Sequence, residues 1–78
     1  MDTYLIMKEK EIQAICNKIR ILRYERGLTQ QKVASVLDIS QNAYNKIENG
    51  KTKLLVVTIL CLADIFEADV NDFFTDLK

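Results

Sequence analysis

The chain has 78 residues, of which 49% are hydrophobic and 28% are charged, with two glycines and no proline. This composition excludes a disordered segment and indicates one ordered, mainly helical domain. Because a domain of this size buries only a modest core, we expect oligomerisation to add stability. No apolar run reaches the length of a membrane span, and no signal peptide is recognisable, so we expect no membrane association and a cytoplasmic location.

The charges sum to zero but are unevenly placed along the chain. Residues 1–28 carry six basic and four acidic groups, residues 29–53 carry four and two, and residues 54–78 carry one and five. The first two thirds are therefore mildly basic, and the last third is acidic. This distribution bears on nucleic-acid binding more than the net charge does.

The first predicted helix covers residues 9–26 and follows an N-terminal extension, residues 1–8. Its apolar residues recur at spacings of three and four, which is the stripe of an amphipathic helix: Ile12, Ile15, Cys16, Ile19 and Leu22. Arg23 lies within that stripe, where a charge needs a partner. We predict that Glu48 supplies it as a structural ion pair. The alternative is that both side chains extend to solvent.

Two further predicted helices, residues 30–37 and 41–49, are separated by a short elbow, which is the pattern of a helix-turn-helix. The apolar positions that define it are Val33, Leu37, Ile39, Tyr44 and Ile47. Thr29 and Ser40 are the predicted N-caps of the two helices. Asp38 holds the elbow, where a positive φ is usually needed and where Asp is better tolerated than most residues.

With Tyr44 and Glu48 facing inward, the outer face of the third helix is polar and rich in amides. Its members are Gln41, Asn42, Asn45, Lys46 and Asn49. Amide side chains match the adenine edge in the major groove, Lys can reach guanine acceptors or a phosphate, and Ala43 can meet a thymine methyl. A merely solvated helix would more often carry Glu and Lys, so the face predicts contacts with DNA bases.

Residues on either side of this face suit the phosphate backbone. Gln30 lies in the first turn of the second helix, where free backbone N–H groups can receive a phosphate, although a solvated helix start is the alternative. Lys51 and Lys53 follow the third helix and could contact phosphates, but such a pair is equally common in a plain solvated turn.

The fourth predicted helix, residues 56–66, is apolar almost all round. One stripe is assigned to the core: Val56, Ile59, Leu60, Ala63 and Phe66. A second stripe beside it is Val57, Cys61 and Ile65. We predict a homodimer interface comprising Leu54, Leu55, Val57, Cys61 and Ile65, with Phe73 or Phe74 of a last helix, residues 70–76, at its rim. In the rival arrangement Tyr4–Met7 covers the second stripe in a monomer.

Catalysis is not expected from this sequence. It contains no histidine and no glycine-rich phosphate loop, and its carboxylates have structural or surface explanations. Cys16 and Cys61 lie in apolar runs without metal-ligand or redox spacing, which predicts reduced thiols. We therefore expect no enzyme, no cofactor and no metal site.

Three fragments carry a resemblance to a known family: GLTQ at 27–30, LDIS at 37–40 and KIENGK at 46–51. Together they resemble the phage-repressor and Cro type of helix-turn-helix protein, the Xre-like bacterial transcriptional regulators, over about residues 15–74. The resemblance implies an all-α, compact five-helix, lambda-repressor-like domain that binds a palindromic operator as a homodimer.

The resemblance also implies roles for individual residues. Gln30 and Gln41 would contact phosphate or base, and Asn49 and Lys51 would hold the DNA backbone. The residues that would face the major groove are Asn42, Ala43, Asn45 and Lys46. An Arg near the end of the first helix would pair with the Glu of the third, here Arg23 and Glu48.

The chain departs from the family pattern at three places. Asp38 replaces the usual elbow Gly and brings a negative charge close to where DNA would lie. Leu54 and Leu55 replace the usual Pro-Ser start of the fourth helix, and Val57 and Cys61 replace residues that are often polar. The last two departures favour a dimer surface.

The leading interpretation is a homodimeric, sequence-specific transcriptional regulator that binds double-stranded DNA. The small size resembles restriction-modification controllers or antitoxins. The alternative is therefore a protein-interaction module, such as an antitoxin that holds a protein partner through its fourth helix or acidic tail.

Overall fold

The computed structural model describes residues 8–75 and residue 77. Its four α-helices are α1 (Glu9–Glu25), α2 (Gln30–Leu37), α3 (Gln41–Glu48) and α4 (Val56–Phe66). No strand occurs in this part of the chain, so the all-α prediction is confirmed. Apart from Lys8, the predicted N-terminal extension lies outside the described residues, and so does the Tyr4–Met7 segment of the rival arrangement.

Within the described residues there are four α-helices and not the predicted five, because the described part of segment 70–76 forms a 3-10 helix, Val70–Phe74. The winding is that of a 3-10 helix because the Asp72 N–H donates to the carbonyl of Asp69, three residues earlier, at 2.9 Å. The Asp69 side chain caps the start of the segment by accepting from the backbone N–H of Asn71 at 2.8 Å. Helices with this i→i+3 bonding have poorer hydrogen-bond geometry than α-helices and are usually short. Phe73, only 1% exposed, anchors the segment on the core.

The two helices of the helix-turn-helix begin at side-chain caps and are joined by a left-handed residue. Thr29 Oγ1 accepts from the Lys32 N–H, and Ser40 Oγ accepts from the Ala43 N–H, both at 3.0 Å. Asp38 ends α2 with φ 61° and ψ 43°. The Ile39 N–H then donates to Ala34 O at 3.0 Å. This is the Schellman arrangement, which reverses the chain direction and sets α3 across α2.

One apolar core joins all four helices and the 3-10 helix. Its buried members are Ile15, Ile19, Leu22, Val33, Ala34, Tyr44, Ile59, Leu62, Ala63, Phe66 and Phe73. The rings of Phe66 and Phe73 lie 6.4 Å apart and are tilted by 34°, a favourable aromatic geometry. Burial raises the pKa of the Cys16 thiol beside this core. Through Tyr44 and the partly buried Ile47, the core holds α3 against α1 and α2.

The predicted core stripe of α4 is partly wrong. Val56 and Leu60 are 72% and 51% exposed, whereas Leu62, which was left out, is completely buried. Because the apolar residues run almost all round this helix, periodicity fits more than one rotational setting, and tertiary packing selects the one that buries Leu62 with Phe66. Within the described residues, no helix is both long enough and apolar enough to cross a membrane.

Candidate nucleic-acid interface

Arg23 of α1 and Glu48 of α3 meet beneath the helix-turn-helix. Arg23 Nε lies 2.6 Å from Glu48 Oε2, and Arg23 Nη2 donates to Oε1 at 3.2 Å. Arg23 Nη1 also donates to Leu28 O at 2.9 Å. Tyr44 Oη donates to Glu48 Oε2 at 2.5 Å, and Gln30 Nε2 donates to Oε1 at 3.0 Å. Both charged side chains are buried, so the solvent-exposed alternative is wrong.

The partners of Glu48 decide its charge. Burial acts to raise the pKa of Glu48, but hydrogen bonds from Arg23, Tyr44 and Gln30 outweigh burial and hold this pKa below its usual value. The hydrogen bond to Glu48 raises the pKa of Arg23, while burial, together with the same carboxylate, raises the pKa of Tyr44. At neutral pH the cluster thus contains a carboxylate, a guanidinium and a neutral phenol.

This cluster is also fully hydrogen-bonded. Throughout the described residues, every buried side-chain nitrogen or oxygen has a hydrogen-bond partner. An ion pair with complete partners ties α1 to α3 without leaving a stranded charge.

The outer face of α3 divides into exposed and half-buried positions. Gln41, Asn42, Lys46 and Asn49 are exposed, whereas Ala43 and Asn45 are half-buried. The exposed side chains of Asn42 and Lys46 are four residues apart and therefore adjacent on the helix surface. The structure thus presents two of the four predicted groove-facing residues, Asn42 and Lys46, directly to solvent, together with Gln41 and Asn49.

The remaining amides contact one another. Asn45 Nδ2 donates to Gln30 Oε1 at 3.2 Å, and Asn49 Nδ2 donates to Asn45 Oδ1 at 3.0 Å. Gln30 is half-buried and bonded to Glu48, so it is not simply a solvated helix start. The structure therefore brings Gln30, Asn45 and Asn49 together at the junction of α2 and α3.

The segment that carries the helix-turn-helix is more basic at its surface than its formal charge indicates. Its four lysines, Lys32, Lys46, Lys51 and Lys53, are all exposed. Of the two acidic residues in 29–53, Glu48 is buried and paired, which leaves Asp38 as the exposed one. Exposed lysines with few acidic neighbours in sequence favour contact with a phosphate backbone.

A family model described as helix-turn-helix matches residues 19–73, more than half of the chain. The chain belongs to the helix-turn-helix family. The resemblance to regulators of the phage-repressor and Cro type is confirmed by this match and by the relatives below.

Proteins with significant sequence similarity to this chain are named as HTH-type transcriptional regulators. PrpR of Mycobacterium tuberculosis is 35% identical over 75 residues, a match that covers 77% of this chain and 15% of PrpR. RamB of the same species is 35% identical over 57 residues, a match that covers 12% of RamB. An uncharacterised regulator of Rickettsia conorii is 28% identical over 64 residues, which cover 82% of this chain and 51% of the relative. The chain thus spans at most about half of these relatives. No solved structure matches significantly.

One residue of this helix-turn-helix site was missed by the sequence analysis. Arg20 Nη2 donates to Glu48 O at 2.9 Å and to Asn49 Oδ1 at 3.2 Å, and Arg20 Nε lies 3.8 Å from Glu48 Oε1. A sequence signal was available, because Arg20 precedes Arg23 by three residues and so projects from the same side of α1.

The residues predicted for the dimer interface also divide by exposure. Leu55 and Val57 are 56% and 59% exposed and Cys61 is exposed, whereas Leu54 and Ile65 are partly buried against the chain's own core. Together with Val56 and Leu60, the exposed members form a surface that we call the α4 patch: Leu55, Val56, Val57, Leu60 and Cys61. Of the two phenylalanines predicted at its rim, Phe73 is buried and Phe74 is exposed.

Proposed function

We propose that this protein is a sequence-specific, DNA-binding transcriptional regulator whose α3 enters the major groove. The observation that carries the proposal is the two-sided construction of α3. Its inner side is held by fully buried Tyr44 and Glu48, and its outer side presents Gln41, Asn42 and Lys46 to solvent. In helix-turn-helix proteins the N-terminal residues of the second helix of the motif, which is α3 here, contact base edges. The transcriptional-regulator names of the relatives support the same function.

The exposure of the polar residues suggests which of them contact bases and which contact phosphates. Gln41 and Asn42, at the start of α3, are placed for base edges, while Lys46 suits guanine acceptors or phosphate. Ala43 offers a methyl contact to thymine, and Asn45 lies between these residues and the core. Residues at the margin of this face would hold the phosphate backbone and fix the register: Gln30, Asn49 and Lys51.

We further propose that the protein acts as a homodimer through the α4 patch. Exposed apolar side chains gain roughly 25 cal/mol for each Å² removed from water, so pairing of two copies removes a cost that the monomer carries. Beside the patch lies a groove of about 230 Å³ lined by Leu37, Ile39, Ile47, Val57, Thr58 and Cys61. An apolar side chain from the second copy fits that lining.

A two-fold dimer suits a palindromic operator. It would place two α3 helices about 34 Å apart, so that each enters one of two successive major grooves on the same side of the duplex. The cytoplasm, where such an operator is accessible, is the proposed site of action. Neither catalysis nor a cofactor enters this function.

The exposed α4 patch also favours a second function, a protein-interaction module such as an antitoxin. Selection of bound sequences from random duplex DNA separates the two. Recovery of a two-fold symmetric site supports the regulator. Binding that is non-specific and confined to low salt favours the interaction module.

A further inference from the structure

Five side chains from α1, α2 and α3 form a closed ring of hydrogen bonds around the base of the helix-turn-helix. Gln30 donates to Glu48 Oε1 at 3.0 Å, Asn45 to Gln30 at 3.2 Å, and Asn49 to Asn45 at 3.0 Å. Arg20 donates to Asn49 at 3.2 Å and closes the ring on the backbone carbonyl of Glu48 at 2.9 Å. The three amides are thus held between a carboxylate and a guanidinium.

The Glu48 carboxylate and the Arg20 guanidinium, which lie on either side of the three amides, set the direction of every hydrogen bond between them. A carboxylate can only accept and a guanidinium can only donate, whereas an amide can be turned to do either. Because Glu48 only accepts, Gln30 must offer its NH₂ group there and its oxygen to the next amide. The same requirement passes along to Asn49, whose oxygen must face the donors of Arg20. Reversing any single amide would oppose two oxygens or two NH₂ groups.

We infer that Arg20 is a positioning residue, which together with Glu48 fixes the orientation of Gln30, Asn45 and Asn49. Each amide keeps one N–H and one oxygen lone pair outside the ring. A bidentate contact to adenine needs the donor and the acceptor on defined sides, so a fixed Asn45 amide favours one base over its competitors. An amide ordered before binding also avoids the entropic cost of being ordered on the DNA.

The link to DNA rests on the proposed function, but the ring itself can be tested in the free protein. The variant Arg20→Lys keeps the charge and loses the planar guanidinium, whose Nη1 donates to Asn17 Oδ1 at 3.1 Å while its Nη2 donates to Glu48 O and Asn49 Oδ1. Arg26→Lys is its matched control. Arg26 directly follows α1, the helix that carries Arg20, and donates to the backbone carbonyls of Phe66 and Glu67, away from the ring.

The first measurement is hydrogen exchange of the side-chain amides of Asn45 and Asn49, followed by NMR without DNA. In the Arg20→Lys variant, hydrogen exchange at these two side-chain amides should accelerate several-fold. In the Arg26→Lys variant it should be unchanged. Asn49→Ala, which cuts the link between Arg20 and Asn45, should accelerate exchange at Asn45 as well. Unchanged exchange in both ring variants would overturn the inference.

The second measurement is affinity at one salt concentration for a selected duplex and a random duplex. The affinity of Arg20→Lys should fall about fivefold or more for the selected duplex and less than about twofold for random DNA. Arg26→Lys should keep the wild-type ratio of the two affinities. An unchanged ratio in Arg20→Lys would overturn the positioning role in DNA recognition. If the wild type shows no preference at all, the proposed function fails, while amide exchange still decides whether Arg20 orients the ring.

Discussion

Asp38 lies in the left-handed conformation that ends α2, with φ 61° and ψ 43°, and Glu67 ends α4 in the same conformation with φ 53° and ψ 45°. Both backbone positions favour glycine, because a Cβ is strained there. Only Asp38 belongs to the helix-turn-helix, where its carboxylate would lie close to DNA phosphates. Glycine substitutions at both positions should relieve the same backbone strain, whereas only the substitution of Asp38 removes a charge from the proposed DNA interface.

We predict that Asp38→Gly and Glu67→Gly each raise the free energy of unfolding by roughly 0.5–1 kcal/mol, through relief of this strain. Only Asp38→Gly should also raise DNA affinity, on selected and random duplexes alike, because it removes a negative charge from the proposed interface. Denaturant unfolding and DNA titration of both variants check this. Equal DNA affinity in the two variants would show that Asp38 does not lie near the phosphates.

Because of Glu48, the free energy of unfolding should vary with pH in the acidic range. Its pKa is lowered from the usual 4.5 in the folded state, so as pH falls the unfolded chain takes up the proton first. The stability that this carboxylate contributes is therefore complete above about pH 4.5 and is lost as pH falls through the lower folded-state pKa.

The predicted result is that the difference in unfolding free energy between wild type and Glu48→Gln narrows as pH falls from about 6 to 3. Urea unfolding at several pH values measures it. Glu25→Gln, which removes an exposed carboxylate of α1, is the control for general acid effects. A wild-type to Glu48→Gln difference that stays constant over this range would contradict a lowered pKa.

At the scale of elements, the contact between α1 and α3 depends on the Arg23–Glu48 pair. Glu48→Ala should cost roughly 3 to 5 kcal/mol of stability, because it leaves the Arg23 guanidinium buried without its carboxylate. In the double variant with Arg23→Met the loss should be smaller than the sum of the single losses, because neither charge is stranded. Thermal melts of the three variants test this, with Glu25→Ala as an exposed control. A Glu48→Ala protein that melts like the wild type would refute the account.

Local patterns predicted the helices around this contact well. Thr29 and Ser40 are side-chain caps at the predicted positions, since an N-cap depends on residues that are adjacent in sequence. Arg23 could be paired with Glu48 because a charge within an apolar stripe requires a partner. Both inferences needed only periodicity and the cost of burying a charge.

Other features depend on packing that periodicity does not specify. α4 is apolar almost all round, so its burial of Leu62 rather than Leu60 was decided by neighbouring helices. The last predicted helix is a 3-10 helix, and the spacing of its apolar residues did not distinguish i→i+3 from i→i+4 hydrogen bonding. The amide ring joins three helices, and its directions follow from side-chain geometry that a one-dimensional pattern does not contain.

At the scale of the whole molecule, the α4 patch is an exposed apolar surface that the fold of the monomer does not require. We predict that the wild type is a dimer at micromolar concentration and that Val57→Lys is a monomer, because a buried lysine without a partner charge is costly. Sedimentation equilibrium measures both. Ser35→Lys adds the same charge at an exposed position of α2 and should remain dimeric. A monomeric wild type rejects the dimer, and a dimeric Val57→Lys rejects this interface.

The exposed face of α3 is proposed to distinguish DNA sequences. This claim is tested by the ratio of affinities for a selected duplex and a random duplex at one near-physiological salt concentration. We expect a wild-type ratio of about 10³ or more. Asn42→Ala should lower affinity for the selected duplex by roughly 1 to 3 kcal/mol and hardly change that for random DNA. Asn71→Ala, which removes an exposed Asn outside α3, should leave the ratio unchanged. A wild-type ratio near one, or equal losses on both duplexes in Asn42→Ala, would contradict the claim.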